Sequence, residues 1–206
     1  GPNTAPQIFQ AINNLTNSTY TTNKELESLY VDDTSWTNLN GLAVIGQSAG
    51  NTNTLGTYDL NTNVVTNIIP GYSGFGFISP PAYYSVTNSN DYGWHLQSNS
   101  TEWFSDESLN NPGGFDHMLT FSLGGPLTIN VDQFNPADGS FIGNLDVTFN
   151  NPYLIGWEDL NLGDKDYNDI MYLVDASPVP LPPAVMLFLS GLAGLMGSDG
   201  FRRFRS

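Results

Sequence analysis

From Trp36 to Pro178 the chain is broken repeatedly by clusters of Gly, Pro, Asn, Asp and Ser, and the apolar runs between them are short. Such punctuation supplies turns before a helix can extend, so it admits many short strands and few long helices. Leu42-Ala43-Val44-Ile45 reads as a buried strand, followed by a turn-rich stretch over 46–53 and a second strand over 54–60. Val64-Val65-Thr66-Asn67-Ile68-Ile69 reads as another strand, ended by Pro70-Gly71 acting as a turn. Further strands are expected at 74–78, 82–87, 92–97, 117–122, 127–131, 145–149, 153–158 and 170–174. The partial alternation of His117-Met118-Leu119-Thr120-Phe121-Ser122 suits a half-buried strand. The predicted fold class is all-β, an antiparallel β-sandwich of jelly-roll type. A length of 206 residues supports one good core and leaves little room for a second.

The two ends differ from this body. Residues 1–35 form an N-terminal arm in which Ile8-Phe9-Gln10-Ala11-Ile12 and Lys24-Glu25-Leu26-Glu27-Ser28-Leu29-Tyr30 show apolar spacing of three or four, so the arm is expected to be partly helical. The sandwich is expected over 36–177. At 178–206 the character changes again. Pro178-Val179-Pro180-Leu181-Pro182-Pro183 reads as an extended linker, residues 184–197 form an uncharged apolar tail, and the chain closes on Phe201-Arg202-Arg203-Phe204-Arg205. The apolar tail is shorter than the ~20 residues of a membrane-spanning helix.

Charge narrows the partners. The formal net charge is −15, and three of the five basic residues lie in the last five positions. Up to residue 180 only Lys24 and Lys165 face nineteen acidic residues, so the body repels nucleic acid and anionic lipid and attracts cations. The absence of cysteine excludes disulfides, thiolate metal sites and cysteine nucleophiles.

The acidity is concentrated in Trp157-Glu158-Asp159-Leu160-Asn161-Leu162-Gly163-Asp164-Lys165-Asp166-Tyr167-Asn168-Asp169. Carboxylates this dense raise one another's pKa unless a cation intervenes. Calcium suits them, because it takes six to eight oxygen ligands and tolerates irregular loops. Asp164, Asp166 and Asn168 alternate, so their side chains can converge on one side of an extended backbone. Asp169 opens the strand Ile170-Met171-Tyr172-Leu173-Val174, and Glu158 and Asp159 end the strand before the loop. The loop shares alternating oxygens with an EF-hand but lacks its sixth-position glycine and terminal glutamate, which excludes that motif. A second turn-rich group, Ser105 to His117, adds Asp116 as a ligand from a neighbouring loop, with His117 as a hydrogen-bonding neighbour or core residue. The expected metal ligands are Glu158, Asp159, Asp164, Asp166, Asn168, Asp169 and Asp116, and the expected cofactor is calcium.

Several segments together resemble a domain of secreted PEP-CTERM proteins. They are Ser48-Ala49-Gly50-Asn51-Thr52-Asn53-Thr54-Leu55-Gly56-Thr57-Tyr58-Asp59, Trp103-Phe104-Ser105-Asp106, Leu109-Asn110 and Phe115-Asp116-His117, with Gly156-Trp157-Glu158-Asp159-Leu160 and Gly163-Asp164-Lys165-Asp166-Tyr167-Asn168-Asp169 the most specific. The resemblance implies a β-rich extracellular module with a metal site at the acidic signature and no catalytic activity. The tail, with Val179-Pro180-Leu181-Pro182-Pro183, resembles a PEP-CTERM sorting signal. This implies export to the bacterial surface or matrix, an exosortase-type processing protease as partner, and membrane contact only through the tail before processing.

Three function classes follow. The first is a calcium-binding, non-enzymatic surface or matrix protein, with extracellular polysaccharide as a further partner. The second is a self-assembling fibre subunit whose N-terminal arm or apolar tail packs into copies of itself. The third is a carbohydrate-binding module using Tyr83, Tyr84, Trp94 and Trp103 as stacking faces. An enzyme is disfavoured: adjacent Glu158 and Asp159 would point to opposite faces of a strand, and no nucleophile motif accompanies His95 or His117.

Overall fold

A computed structural model describes residues 6–31, 34–110, 115–160 and 166–179. Of the expected sorting signal at 178–206 only Pro178 and Val179 are described; the rest of it and the loop residues 161–165, with Asp164 among them, lie outside the described residues. The described chain is all-β around eleven hydrogen-bonded strands, as the turn punctuation requires.

Two long strands organise it. β2 (Leu42–Asp59) and β3 (Val65–Tyr84) run antiparallel over almost their whole length. The first half of β2 also pairs with β10 (Ile170–Asp175), and its second half with β4 (Tyr92–Ser98). Register irregularities between Ala49 and Asn53 separate the halves, so the hairpin bends and serves two layers. One layer continues from β10 to β9 (Pro152–Trp157) and β6 (Met118–Ser122), and from the end of β3 to β7 (Leu127–Phe134) and β8 (Phe141–Phe149). The other adds β1 (Trp36–Thr37), β5 (Thr101–Phe104) and β11 (Ser177–Pro178) around β4. The β3–β7 contact is parallel; the other strand pairs are antiparallel.

This bend corrects two expectations. Residues 46–53 are strand rather than turn, and Pro70-Gly71 lies inside β3 rather than ending it. Gly, Ser, Asn and Pro serve a bulged bend as well as a reversal, because both need backbone that leaves the regular ladder.

Between the layers, aromatic rings from strands that share no hydrogen bonds meet at steep angles. Trp94 on β4 lies 5.3 Å from Tyr172 on β10, and Trp36 on β1 lies 5.2 Å from Tyr153 on β9. β10 is buried on both sides: Ile170, Tyr172 and Val174 enter this core, while Met171 and Leu173 enter a second one beneath a helix. That helix, α1 (Pro6–Thr16), places Ile8, Ala11 and Ile12 at the three- and four-residue spacing that makes one apolar face. Asn17 ends it in the left-handed conformation, φ 54°. Full burial of an aliphatic side chain contributes roughly 1.5–3 kcal/mol, so Ile8 and Ile12 make this part of the arm a member of the core.

Candidate metal centre

The register of β9 against β10 builds the site. Trp157 pairs with Ile170, so the residues just after one strand and just before the other meet at one end of the sandwich. Two bonds lock the junction: the Asp169 amide donates to the Trp157 carbonyl at 3.1 Å, and the Asp159 amide donates to Asp169 Oδ2 at 2.7 Å. Gly156 permits the close approach, since a Cβ there would collide with the carbonyl oxygen of Tyr167. Tyr167 holds a positive φ of 55° and donates its hydroxyl to the Asp116 carbonyl at 2.9 Å, pinning the loop to its neighbour.

The bend in β2 supplies the opposite wall. Asn51 Nδ2 and Asn53 Nδ2 donate to Asp159 Oδ1 and Oδ2 at 3.2 and 2.8 Å, and Trp103 Nε1 donates to the Asp159 carbonyl at 3.0 Å. Neutral amides here stand where a cation would satisfy the carboxylate more strongly. Asn53 is fully buried and its Oδ1 has no hydrogen-bond partner among the described residues; Gln47 Oε1, on the same strand, is likewise buried without one among them. Buried acceptors rarely stay unpaired. Asn168 Nδ2 donates to Asp166 Oδ2 at 2.8 Å and to Gln7 Oε1 at 3.1 Å, which ties α1 to the loop.

Electrostatics mark Asp169 as the conflicted member. Burial, with Asp159, Glu158 and Asp166 adding their negative charge, pushes its carboxyl up to about 8, despite the bond from the Asp159 amide. Both Glu158 and Asp159 thus act on Asp169. They follow the end of β9, and Asp159 lines the cleft over Asp169 while Glu158 is fully buried. Among the described residues the one acid–base side-chain contact joins His95 Nε2 to Glu102 at 3.5 Å, so no basic side chain described here neutralises the cluster.

The ligand set expected from sequence is partly assembled. Glu158, Asp159, Asp166, Asn168 and Asp169 gather at the β9–β10 end, with Glu158 fully buried. Asp116 is half-buried and reaches the loop through its carbonyl, which accepts the Tyr167 hydroxyl, but its Oδ1 accepts the Met118 amide at 2.9 Å; burial, with Glu107 adding to it, pushes it up to about 6. His117 is a core residue: its ring stacks on Trp103 at 3.7 Å and its Nδ1 meets the Glu158 carbonyl at 3.1 Å. Among the described residues no three His, Asp or Glu side chains already stand close enough to hold an ion. The chemistry of the donors still fits a hard cation: carboxylates, an Asn amide, and buried amide oxygens lacking partners. Gln47, Asn51 and Asn53 were not among the expected site residues, since more than a hundred positions separate them from Asp159.

A cleft of about 490 Å³ opens over this centre, lined by Ser48, Ala49, Gly50, Asn51, Asp159, Leu160 and Asp169. Phe75, 80% exposed, faces Ser48 across the β2–β3 ladder. Tyr83, Tyr84, Trp94 and Trp103, expected as sugar-stacking faces, are all buried in the core and present none.

No protein-family model matches the chain, and no curated protein does. Among solved structures the chain is similar to the Chromobacterium violaceum lectin CV2L, determined in complex with alpha-methyl-fucoside. The match has 11% identity, covers 73% of this chain and 100% of the lectin, and has a TM-score of 0.35. A superposition this loose fixes neither fold nor ligand.

Proposed function

We propose that this chain is a calcium-binding, non-enzymatic protein of the bacterial surface or extracellular matrix. The observation that carries the proposal is Asp169, a buried carboxyl pushed up to about 8 among three other carboxylates with no described basic partner. A divalent cation removes that conflict. Asp159, Asp166, Asn168 and Asp169 would hold it, with Glu158 behind them and the Asn53 and Gln47 amide oxygens as neutral donors. Its contribution would be structural, joining the β9–β10 end to the bend of β2 and turning binding energy into fold stability. Export through a PEP-CTERM-like signal and processing by an exosortase-type protease rest on the residues of the tail.

Calcium titration of chelator-stripped protein tests this directly. A saturating ion at about 100 times its Kd adds about 2.7 kcal/mol, which raises the Tm of a domain this size by roughly 5–10 °C. Identical melting in calcium and in chelator would refute the reading.

A second reading, a carbohydrate-binding module, is favoured by the cleft itself. It opens onto the acidic centre, and exposed Phe75, paired across the β2–β3 ladder with Ser48 of its lining, offers a flat apolar face of the kind sugars stack on. A saccharide's adjacent hydroxyls are oxygen ligands of the type calcium accepts. A saccharide panel probed with and without calcium should show calcium-dependent binding that Phe75→Ala weakens. Binding unchanged by chelator and by Phe75→Ala would place any sugar elsewhere.

A further inference from the structure

β8 is an outer strand. Its hydrogen-bonded neighbour is β7, and no other described strand pairs with it. Exposed strand edges are ordinarily blunted by Lys, Pro, bulges or a covering element. The nine residues Phe-Ile-Gly-Asn-Leu-Asp-Val-Thr-Phe contain neither Lys, Arg nor Pro, and one carboxylate, Asp146. The single register shift against β7 lies at the Phe141 end, so 143–149 run as a regular ladder. Phe141 and Ile142 are 60% and 58% exposed, and Leu145 is partly so. This is a regular edge with apolar side chains left uncovered by the described residues.

The polar side chains of the same ribbon indicate what fits the edge. Asn130 Nδ2 donates to Asn144 Oδ1 at 3.0 Å and to Asp146 Oδ1 at 2.9 Å; Asn144 Nδ2 donates to Asn130 Oδ1 at 2.9 Å and to Asp132 Oδ1 at 3.1 Å. The register behind it sets Asn130 opposite Asp146 and Asp132 opposite Asn144, so each carboxylate meets an amide donor across the strands. β8 repeats that code on itself. Turned about a two-fold axis through Leu145, residue 144 faces residue 146 of the second copy, and the reverse. Each Asn144 then faces an Asp146 carboxylate of the other copy, which pairs by taking over one of the two amide hydrogens that Asn144 gives to Asn130 and Asp132 within its own ribbon. On the other face Leu145 covers Leu145.

We propose that β8 pairs antiparallel with β8 of a second copy, in register about Leu145, joining two sandwiches edge to edge in a symmetric dimer. The contact is isologous, so it closes at two subunits and does not propagate as a fibre. Each chain carries a formal charge of −15, so association strengthens as added salt screens the repulsion between copies.

Sedimentation velocity on the full chain, over a range of protein and salt concentrations, tests the proposal. The wild type is expected to form a reversible dimer that tightens with salt. Leu145→Lys sets two ammonium groups against each other at the axis and should weaken association at least tenfold, with an unchanged thermal melt showing that the fold is intact. Asn144→Asp, which faces Asp146 of the other copy, should weaken it similarly. Mixing that variant with Asp146→Asn restores a carboxylate–amide pair at both positions and should recover dimer. A monomeric wild type at every salt concentration overturns the proposal. So does a dimer indifferent to Leu145→Lys and Asn144→Asp, which would lie on another surface. Loss of the dimer on ending the chain at residue 179 also overturns it, since the apolar tail would then be the occupant of the edge.

Discussion

Replacing Asp169 by Asn in the metal-free protein should stabilise it, although a side chain at the heart of the candidate site is being changed. In the folded state the Asp169 carboxyl is raised from 3.8 to about 8, chiefly by burial and then by its carboxylate neighbours. Between those values the folded chain keeps a proton that the unfolded chain has released, so stability falls as pH rises. Below 6.5 other groups intervene: Asp116, raised to about 6, acts in the same direction, while His95 and His117, lowered by burial, act in the opposite one. The interval from 6.5 to 8 therefore belongs mainly to Asp169. One pH unit of uncompensated protonation is worth about 1.4 kcal/mol, so metal-free wild type should lose about 2 kcal/mol across the interval. Asn at 169 keeps an oxygen to accept the Asp159 amide and removes the charge. Urea unfolding in chelator at pH 6.5 and 8 should show the loss in wild type and its absence in the variant. Calcium should restore the wild type at pH 8 and help the variant less. A wild type equally stable at both pH values in chelator would refute the electrostatic account of the site.

Gly156→Ala drives a Cβ into the Tyr167 carbonyl and should cost about 3 kcal/mol, the upper end of the usual overpacking range, with calcium affinity falling alongside the urea midpoint. Trp103→Phe removes the indole donor to the buried Asp159 carbonyl and should cost about 1–3 kcal/mol, measured by urea unfolding; a neutral result would mean that water takes over the carbonyl. His95 is buried and its proton affinity lowered, so its contribution to stability is present above pH 6.5 and lost as the unfolded chain takes up a proton below it. His95→Phe should therefore gain relative to wild type on moving from pH 7.5 to 5, and an offset that is the same at both would exclude that role.

Much of the fold is legible from local pattern because its decisive signals are local. The uninterrupted apolar run Ile170–Val174 announces a strand buried on both faces, and β10 is one. The three- and four-residue spacing of Ile8, Ala11 and Ile12 announces a helix with one apolar side, and α1 places that side in the core. The bend of β2 and β3 is less legible. Ser48, Gly50, Asn51 and Pro70 mark a departure from the regular ladder, yet residue type does not say whether the strand then reverses or continues into another layer. The same gap hid half the candidate site. The acidic run is visible because its ligands are neighbours in sequence, whereas Asn51 and Asn53 reach Asp159 only through the strand order β2–β10–β9. The Ser48 to Asp59 segment carries part of the family resemblance, and that was the available signal. Aromatic residues misled for a related reason: Trp94 and Trp103 suit a sugar platform and a sandwich core equally in composition, and burial decided for the core.

The location of the acidic centre explains why an ion there would act on the whole fold. β2 changes layer at Ala49–Asn53, and a bulged strand loses ladder bonds where it bends. Those residues are held from the side by Asp159, which belongs to the opposite layer's β9–β10 end, and Ser48 is tied to the same loop through the Asn168 carbonyl at 3.1 Å. The bulged stretch of the β2–β3 ladder and the acidic cluster thus support one another. Without a cation, two neutral amides bear that contact while Asp169 retains a proton. With one, Asp169 ionises, the carboxylates converge, and the same oxygens fasten the bend. Ion binding, loop order and the joining of the two layers then become a single equilibrium. The β2 bend and the 166–169 loop should accordingly gain hydrogen-exchange protection together when calcium is added, and protection confined to the loop would show that the ion does not reach across the layers.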